Sequence, residues 1–176
     1  HLVAYSEAMA PIEDGTFTAS GWFKVPAVPS GQWFRLFTKR SGGTGWEVEL
    51  DPGPELYMWA NGTAYGTGSG MSDLAGTWKM YSFVYDGTDL TIYIDGTLQL
   101  QRTIDAAVTG AGLGLAIGNS LTGGESAFTG EYKEVRMHGS ALAAAAIKAQ
   151  YDSMQSGFLT AGAAKDVSYP LVIIIR

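Results

Sequence analysis

The chain has 176 residues, with 24 glycines, no cysteine, 46% hydrophobic residues and a formal net charge of -6. That length suits one domain with a sizeable core. The missing cysteines exclude disulfides and thiolate zinc sites. The acidic balance, with 11 scattered Lys and Arg, argues against binding the phosphate backbone of a nucleic acid, which needs clustered cations. No apolar run reaches the ~18 residues of a membrane span, and no signal peptide is visible. A start at His1 rather than Met reads as a processed product, a cloned segment or a piece of a longer chain.

In chain order, most segments read as short strands between turn residues. Phe17 to Val25 is the first, ended by Pro26 and Pro29, and Trp33 to Lys39 the second, ended by Ser41-Gly42-Gly43. A three-strand meander follows. Trp46 to Asp51 turns through Pro52-Gly53-Pro54 into Glu55 to Ala60, and Asn61-Gly62 turns that strand into Thr63 to Gly66. Asn-Gly is a strong two-residue hairpin signal because both residues tolerate positive φ. Trp78 to Gly96 (WKMYSFVYDGTDLTIYIDG) is the clearest hairpin, with its turn at Asp86 to Asp89 and a second Asp-Gly closing the unit. If Tyr85 faces Leu90, then Tyr81, Phe83, Tyr85, Leu90, Ile92 and Ile94 share the core face. Gly112 to Ile117 and Phe128 to His138 complete the strands.

One helix is expected, Ala141 to Asp152, with Ser140 as N-cap and Ile147, Tyr151 and Met154 on the docking face. Thr160 to Lys165 reads as a linker. Tyr169 to Arg176 (YPLVIIIR) is a bare apolar strand that needs a sheet edge, a neighbouring subunit or a continuing chain. The expected division is therefore residues 1–159 as the domain and 160–176 as linker and apolar strand, the latter a route to homo-oligomers.

Four of these segments together resemble a family. FTASGWFKV is similar to the first core strand, TWKMYSFVYDGTDLTIYIDGT to the most recognisable hairpin, LGLAIGNS to a strand ending in Ile-Gly, and FTGEYKEVRMHGSAL to the final strand and helix start of LamG-like jelly rolls of the concanavalin A-like lectin and glucanase superfamily, bacterial or phage type. The likeness covers roughly residues 12 to 155. It implies an all-β fold, a two-sheet antiparallel jelly-roll sandwich with one short helix in the C-terminal half. It also implies a binding or adhesion role, extracellular, at a cell surface or on a virion. Many members hold a calcium ion through an Asp after the last strand's Gly. Lys133 stands at the equivalent position and cannot ligate a hard cation, so a structural Ca2+ would need Glu134 or the pair Glu13-Asp14.

The candidate site lies on the meander. Glu47, Glu49 and Asp51 alternate and so share one face of a strand. A Pro-Gly-Pro turn of three residues sets Glu47 opposite Trp59, Glu49 opposite Tyr57 and Asp51 opposite Glu55. One face then holds Trp46, Val48, Leu50, Leu56, Met58 and Ala60 for the core. The other combines carboxylates with Tyr57 and Trp59, the chemistry that stacks on sugar C–H faces and accepts hydroxyl hydrogens. The competing reading is an acidic, solvated strand face with aromatics that pack under a loop or against a neighbouring protein. Glucanases on this superfold use a carboxylate ladder of Glu-x-Asp-x-Glu type, but here the middle residue is Glu49 and the end is Asp51, which counts against hydrolysis. Loop Asn119 to Ala127 is polar and Gly-rich, so Asn119 could border a binding rim. His138, the one internal histidine, is expected to cap the last strand.

The expectation is a non-catalytic module, its ligand a glycan held by Glu47, Glu49, Tyr57, Trp59 and Asn119. The alternative is a structural fibre, decoration or assembly domain working through cell-surface or virion protein contacts. A glycan-active hydrolase ranks behind both.

Overall fold

The computed structural model describes residues 2–4, 15–26, 33–51, 55–67, 75–104, 108, 113–121 and 127–155. Eleven strands and one helix lie among them. The strands are β1 (Leu2–Ala4), β2 (Phe17–Lys24), β3 (Phe34–Ser41), β4 (Thr44–Leu50), β5 (Leu56–Ala60), β6 (Thr63–Gly66), β7 (Trp78–Tyr85), β8 (Asp89–Ile94), β9 (Thr97–Thr103), β10 (Leu115–Ile117) and β11 (Glu131–His138), and the helix is α1 (Ala144–Gln155). They form two sheets, ordered β1-β10-β3-β4-β5-β6 and β11-β2-β7-β8-β9. Every pairing is antiparallel.

Strand alternation decides the layers. In β7 and β8, Tyr81, Phe83, Tyr85, Leu90, Ile92 and Ile94 all face the inter-sheet core, with Tyr85 opposite Leu90. From the other sheet, Phe34, Trp46, Val48, Leu50, Leu56 and Met58 meet them. Phe17 stacks on Trp46 with centroids 4.5 Å apart, and Phe23 packs edge-on against Phe37, Tyr81 and Phe128. Such contacts add directional packing to the area buried.

The turns follow their residues. Asn61 and Gly62 take φ of 47° and 85°, the pattern of a two-residue hairpin. Asp86 Oδ1 accepts the N–H groups of Thr88 and Asp89 at 2.9 and 2.7 Å, which closes the β7–β8 turn. Asp95-Gly96 does not end the unit as expected. It turns the chain into β9, an edge strand whose residues are almost all exposed. TLQLQRT has few β-branched or aromatic residues, so its sequence carried little strand signal.

Helix α1 covers the outer face of the five-stranded sheet. Ile147 is fully buried among Trp22, Met80, Val84 and Tyr93, with Tyr151 and Met154 beside it. Its start differs from expectation. Ser140 is not the N-cap, because the Thr18 hydroxyl donates to Ser140 O and accepts the Leu142 N–H, at 2.8 and 2.9 Å. That bridge pins residues 140 to 142 to β2, and the first helical turn closes on Ala143 O. The expected linker, the apolar strand 169–176 and the boundary after residue 159 lie outside the described residues.

Candidate functional site

The outer face of the six-stranded sheet has no helix from the described residues on it, and there the meander places its polar residues. The β4–β5 register puts Glu47 opposite Trp59 and Glu49 opposite Tyr57. The Asp51 N–H donates to Glu55 O at 3.0 Å, so the expected pairing extends to the turn. Four of the five candidate residues therefore stand together on one face.

The carboxylates are not solvated. Glu47 is 2% exposed and Glu49 4%. The cause is β3, whose Arg35 and Arg40 lie over β4. Glu47 Oε2 accepts from Arg35 Nε at 3.0 Å, and its Oε1 pairs with Arg40 Nη1. Glu49 reaches Arg35 only at 3.9 Å. Glu47 is thus the paired acid, and Glu49 the under-compensated one. Burial, and next the neighbouring Glu47 charge, push the Glu49 carboxyl up from 4.5 to about 7. Arg35 opposes the rise, as do the Trp59 indole N–H and Arg40. The Trp59 Nε1 is buried and completes no hydrogen bond of normal geometry, so its help to Glu49 is electrostatic.

The aromatic wall sits on β5. Tyr57 and Trp33 pack as a tilted pair 5.6 Å apart, both part-exposed. The Tyr57 hydroxyl donates to Glu55 Oε2 at 2.6 Å, and this bond, with burial second, raises its pKa to about 12. Gly66 on β6 lies opposite Tyr57. A Cβ there would come within 2.6 Å of Tyr57 Cε1, so the absent side chain is what lets the ring lie across the sheet. The Trp59 ring carries the Arg40 guanidinium 5.3 Å from its centroid. Part of the surface expected to stack on a sugar is therefore occupied by a cation, and Trp59 serves as a wall beside the Trp33–Tyr57 pair.

Asn119 follows β10 at the far side of β3. It is buried, and its Oδ1 accepts the Ser120 N–H at 2.8 Å. It shapes its own turn, and no described contact joins it to the acidic pair. Residues 122–126 of that loop lie outside the described residues. Among the described residues no three His, Asp or Glu side chains cluster as a metal site. Glu134 pairs with Arg136 at 3.4 Å, and Glu13-Asp14 lie outside the described residues. His138 sits against Gln150 of α1, with its pKa lowered by burial and then by Arg136.

Sequence reasoning missed Arg35, Arg40 and Trp33. Counting back from Ser41 opposite Thr44 would have set Thr38 opposite Glu47 and Arg40 two places away on the same face. Arg35 could not be found that way. A bulge at Leu36 shifts the register and brings Arg35 opposite Glu49.

Two antiparallel sheets, one outer face covered by a helix and the other bearing charges and aromatics, define a jelly-roll sandwich. The chain belongs to the Laminin_G_3 family of the concanavalin A-like lectin/glucanases superfamily, which it matches over residues 3–148. Among solved structures it is similar to a candidate carbohydrate binding protein from Bacteroides ovatus, with 20% identity, a TM-score of 0.62 and coverage of 76% of this chain and 40% of that one. It is similar to botulinum neurotoxin type C, in a structure on cell entry through two ganglioside molecules, at 13% identity, a TM-score of 0.64 and coverage of 87% and 39%. It is also similar to domain 4 of AbnA, an extracellular GH43 arabinanase from Geobacillus stearothermophilus, in complex with arabinotriose, at 20% identity, a TM-score of 0.60 and coverage of 78% and 66%. The chain thus spans about two fifths of the first two and 66% of the third. A comparison with curated protein sequences gave no match.

Proposed function

We propose that this chain is a non-catalytic glycan-recognition module acting outside the cell, with its ligand held on the outer face of the six-stranded sheet. The observation that supports this most is the part-exposed Trp33–Tyr57 pair beside a set of charges already locked in place. Fixed polar groups beside aromatic surface bind at lower ordering cost than mobile ones. Arg35 and Arg40 supply donors above the buried Glu49, Glu55 supplies an acceptor, and Tyr57 and Trp33 supply the apolar contact. Neighbours whose descriptions name carbohydrate, ganglioside or arabinotriose are consistent with this reading. Asn119 would take part only at the rim.

Catalysis is disfavoured because both oxygens of Glu47, the carboxylate beside Glu49, are engaged by arginines rather than free to act as the nucleophile of retaining chemistry. One feature favours it, a Glu49 carboxyl raised to about 7, so that it keeps part of its proton near neutrality as a general acid does. A broad glycan array with the natural chain, Tyr57→Ala and Trp59→Ala tests the binding reading. Binding to a glycan class that is lost in Tyr57→Ala supports it. An array with no binder overturns it, and glycan hydrolysis that disappears in Glu49→Gln would replace it with the enzymatic reading.

A further inference from the structure

The other sheet carries a second feature that the reading above does not use. On its outer face, beside the end of α1, lies a cavity of about 240 Å³ lined by Trp22, Lys133, Glu134, Met154 and Gln155. It is smaller than the roughly 300–1,000 Å³ of pockets for drug-sized ligands, a size suited to one sugar ring.

A bulge builds it. Lys133 pairs with Trp22 and Arg136 with Ser20, so two residues of β11 stand against Gly21 alone. Val135 turns into the core, and Glu134 is forced to a φ of 50°, a costly conformation for a residue with a Cβ. Bulges and left-handed residues of this kind re-aim side chains at binding sites. Here the result sets Lys133 and Glu134 on the same cavity.

The cavity lining carries one cation and one anion, Lys133 and Glu134, and the anion is engaged from outside the lining. Glu134 is paired with Arg136 at 3.4 Å. The other described lysines have oxygen partners: Lys24 on Glu131, Lys39 on Leu113 O, Lys79 on Asp95 and Lys148 on Asp152. Lys133 instead lies 4.3 Å from the Trp78 ring centroid and 5.9 Å from that of Trp22. It is exposed, and among the described residues it forms no ion pair within 4.0 Å, although Glu134 lines the same cavity. The Trp22 Nε1–H is turned to Met154 Sδ, so the indole and the thioether form one fixed wall.

We propose that this cavity binds a single carboxylate-bearing sugar residue, a hexuronic acid, with Lys133 on the carboxylate. Trp22 and Met154 face the ring's C–H groups, and Glu134 and Gln155 take its hydroxyls. An ammonium resting on two indoles is held in place before the ligand arrives, which favours a charge-assisted hydrogen bond.

The test is a titration of the full chain followed by NMR at the Met154 methyl and the Trp22 indole N–H, both remote from Trp59. The probes are methyl β-glucuronide, methyl β-glucoside and acetate. Saturable shifts at both signals with the glucuronide, at least tenfold weaker in Lys133→Ala and restored in Lys133→Arg, are expected. Equal affinity for the glucoside, or the same response to acetate alone, overturns the proposal. So does the absence of shifts at millimolar glucuronide, or a Lys133→Ala affinity equal to that of the natural chain.

Discussion

Replacing Glu49 by Gln should stabilise the protein at alkaline pH. The native carboxyl is raised from 4.5 to about 7, so the folded state holds a proton that the unfolded state releases between those values. Stability from this group is fully present below about 4.5 and is lost as pH rises through about 7. At 1.36 kcal/mol for each pKa unit, ionisation in the fold costs about 3 kcal/mol. Gln imitates the protonated side chain in shape and neutrality, so Glu49→Gln should match the natural chain near pH 4.5 and exceed it by about 3 kcal/mol at pH 8.5. For a chain of this size that is roughly 6–12 °C in Tm. His138 acts in the opposite sense. Its pKa is lowered, so its contribution is gained as pH rises through the range below the usual 6.5. It is present in both proteins and cancels in their difference. Urea unfolding of both at pH 4.5 and 8.5 gives the result directly. A Gln variant that is less stable than the natural chain at pH 8.5 would refute the reasoning, because Arg35 would then be compensating Glu49 in full.

Ile147→Ala should cost about 2–4 kcal/mol in urea unfolding, since it opens a cavity beneath α1 at a fully buried position. Gly66→Ala places a Cβ within 2.6 Å of Tyr57 Cε1. It should displace the ring, shift its NMR signals, cost about 1–3 kcal/mol and weaken glycan binding alongside Tyr57→Ala. Asp86 has its pKa lowered by the Asp89 and Thr88 N–H groups, so its contribution is present above the usual carboxylate range and is lost as pH falls through the folded value. Asp86→Asn should flatten the acid limb of a Tm–pH curve by lowering Tm at neutral pH, and should match the natural chain at the acid end.

The parts legible in the sequence were those written in local chemistry. Asn61-Gly62 and Asp86-Gly87 named their turns, and those turns fixed which of Tyr81 to Ile94 face the core. The Glu47–Trp59 and Glu49–Tyr57 pairs followed from the length of one turn. Non-local geometry was hidden. No local signal announces that Thr18 will hold Ser140 and Leu142, residues more than 120 places away, and so delay the helix. The bulge at Leu36 has no Gly to mark it, yet it decides that Arg35 meets the acids. The burial of Glu47 and Glu49 was misjudged for the same reason. Strand alternation gives the face of a side chain but not what lies across that face from the neighbouring strand.

The charged cluster also bears on why this face is built as it is. A buried ion pair seldom contributes more stability than an apolar pair of the same shape, because desolvation offsets the attraction. Glu49 is worse than neutral on this count, at about 3 kcal/mol near and above pH 7, a large share of the ~5–15 kcal/mol that holds a typical domain together. Stability alone would favour Gln at this position. The sheet face instead keeps two acids and two arginines beside Trp33, Tyr57 and Trp59. That trade is the one expected of a binding surface, where fixed polar groups are retained at a cost to the fold. It leads to a joint expectation. If the cluster serves a ligand, Glu49→Gln should raise the Tm at pH 8.5 and weaken glycan binding in the same protein. A variant that gains stability with unchanged binding would leave the cluster without a part in recognition and confine the ligand contact to the aromatic pair.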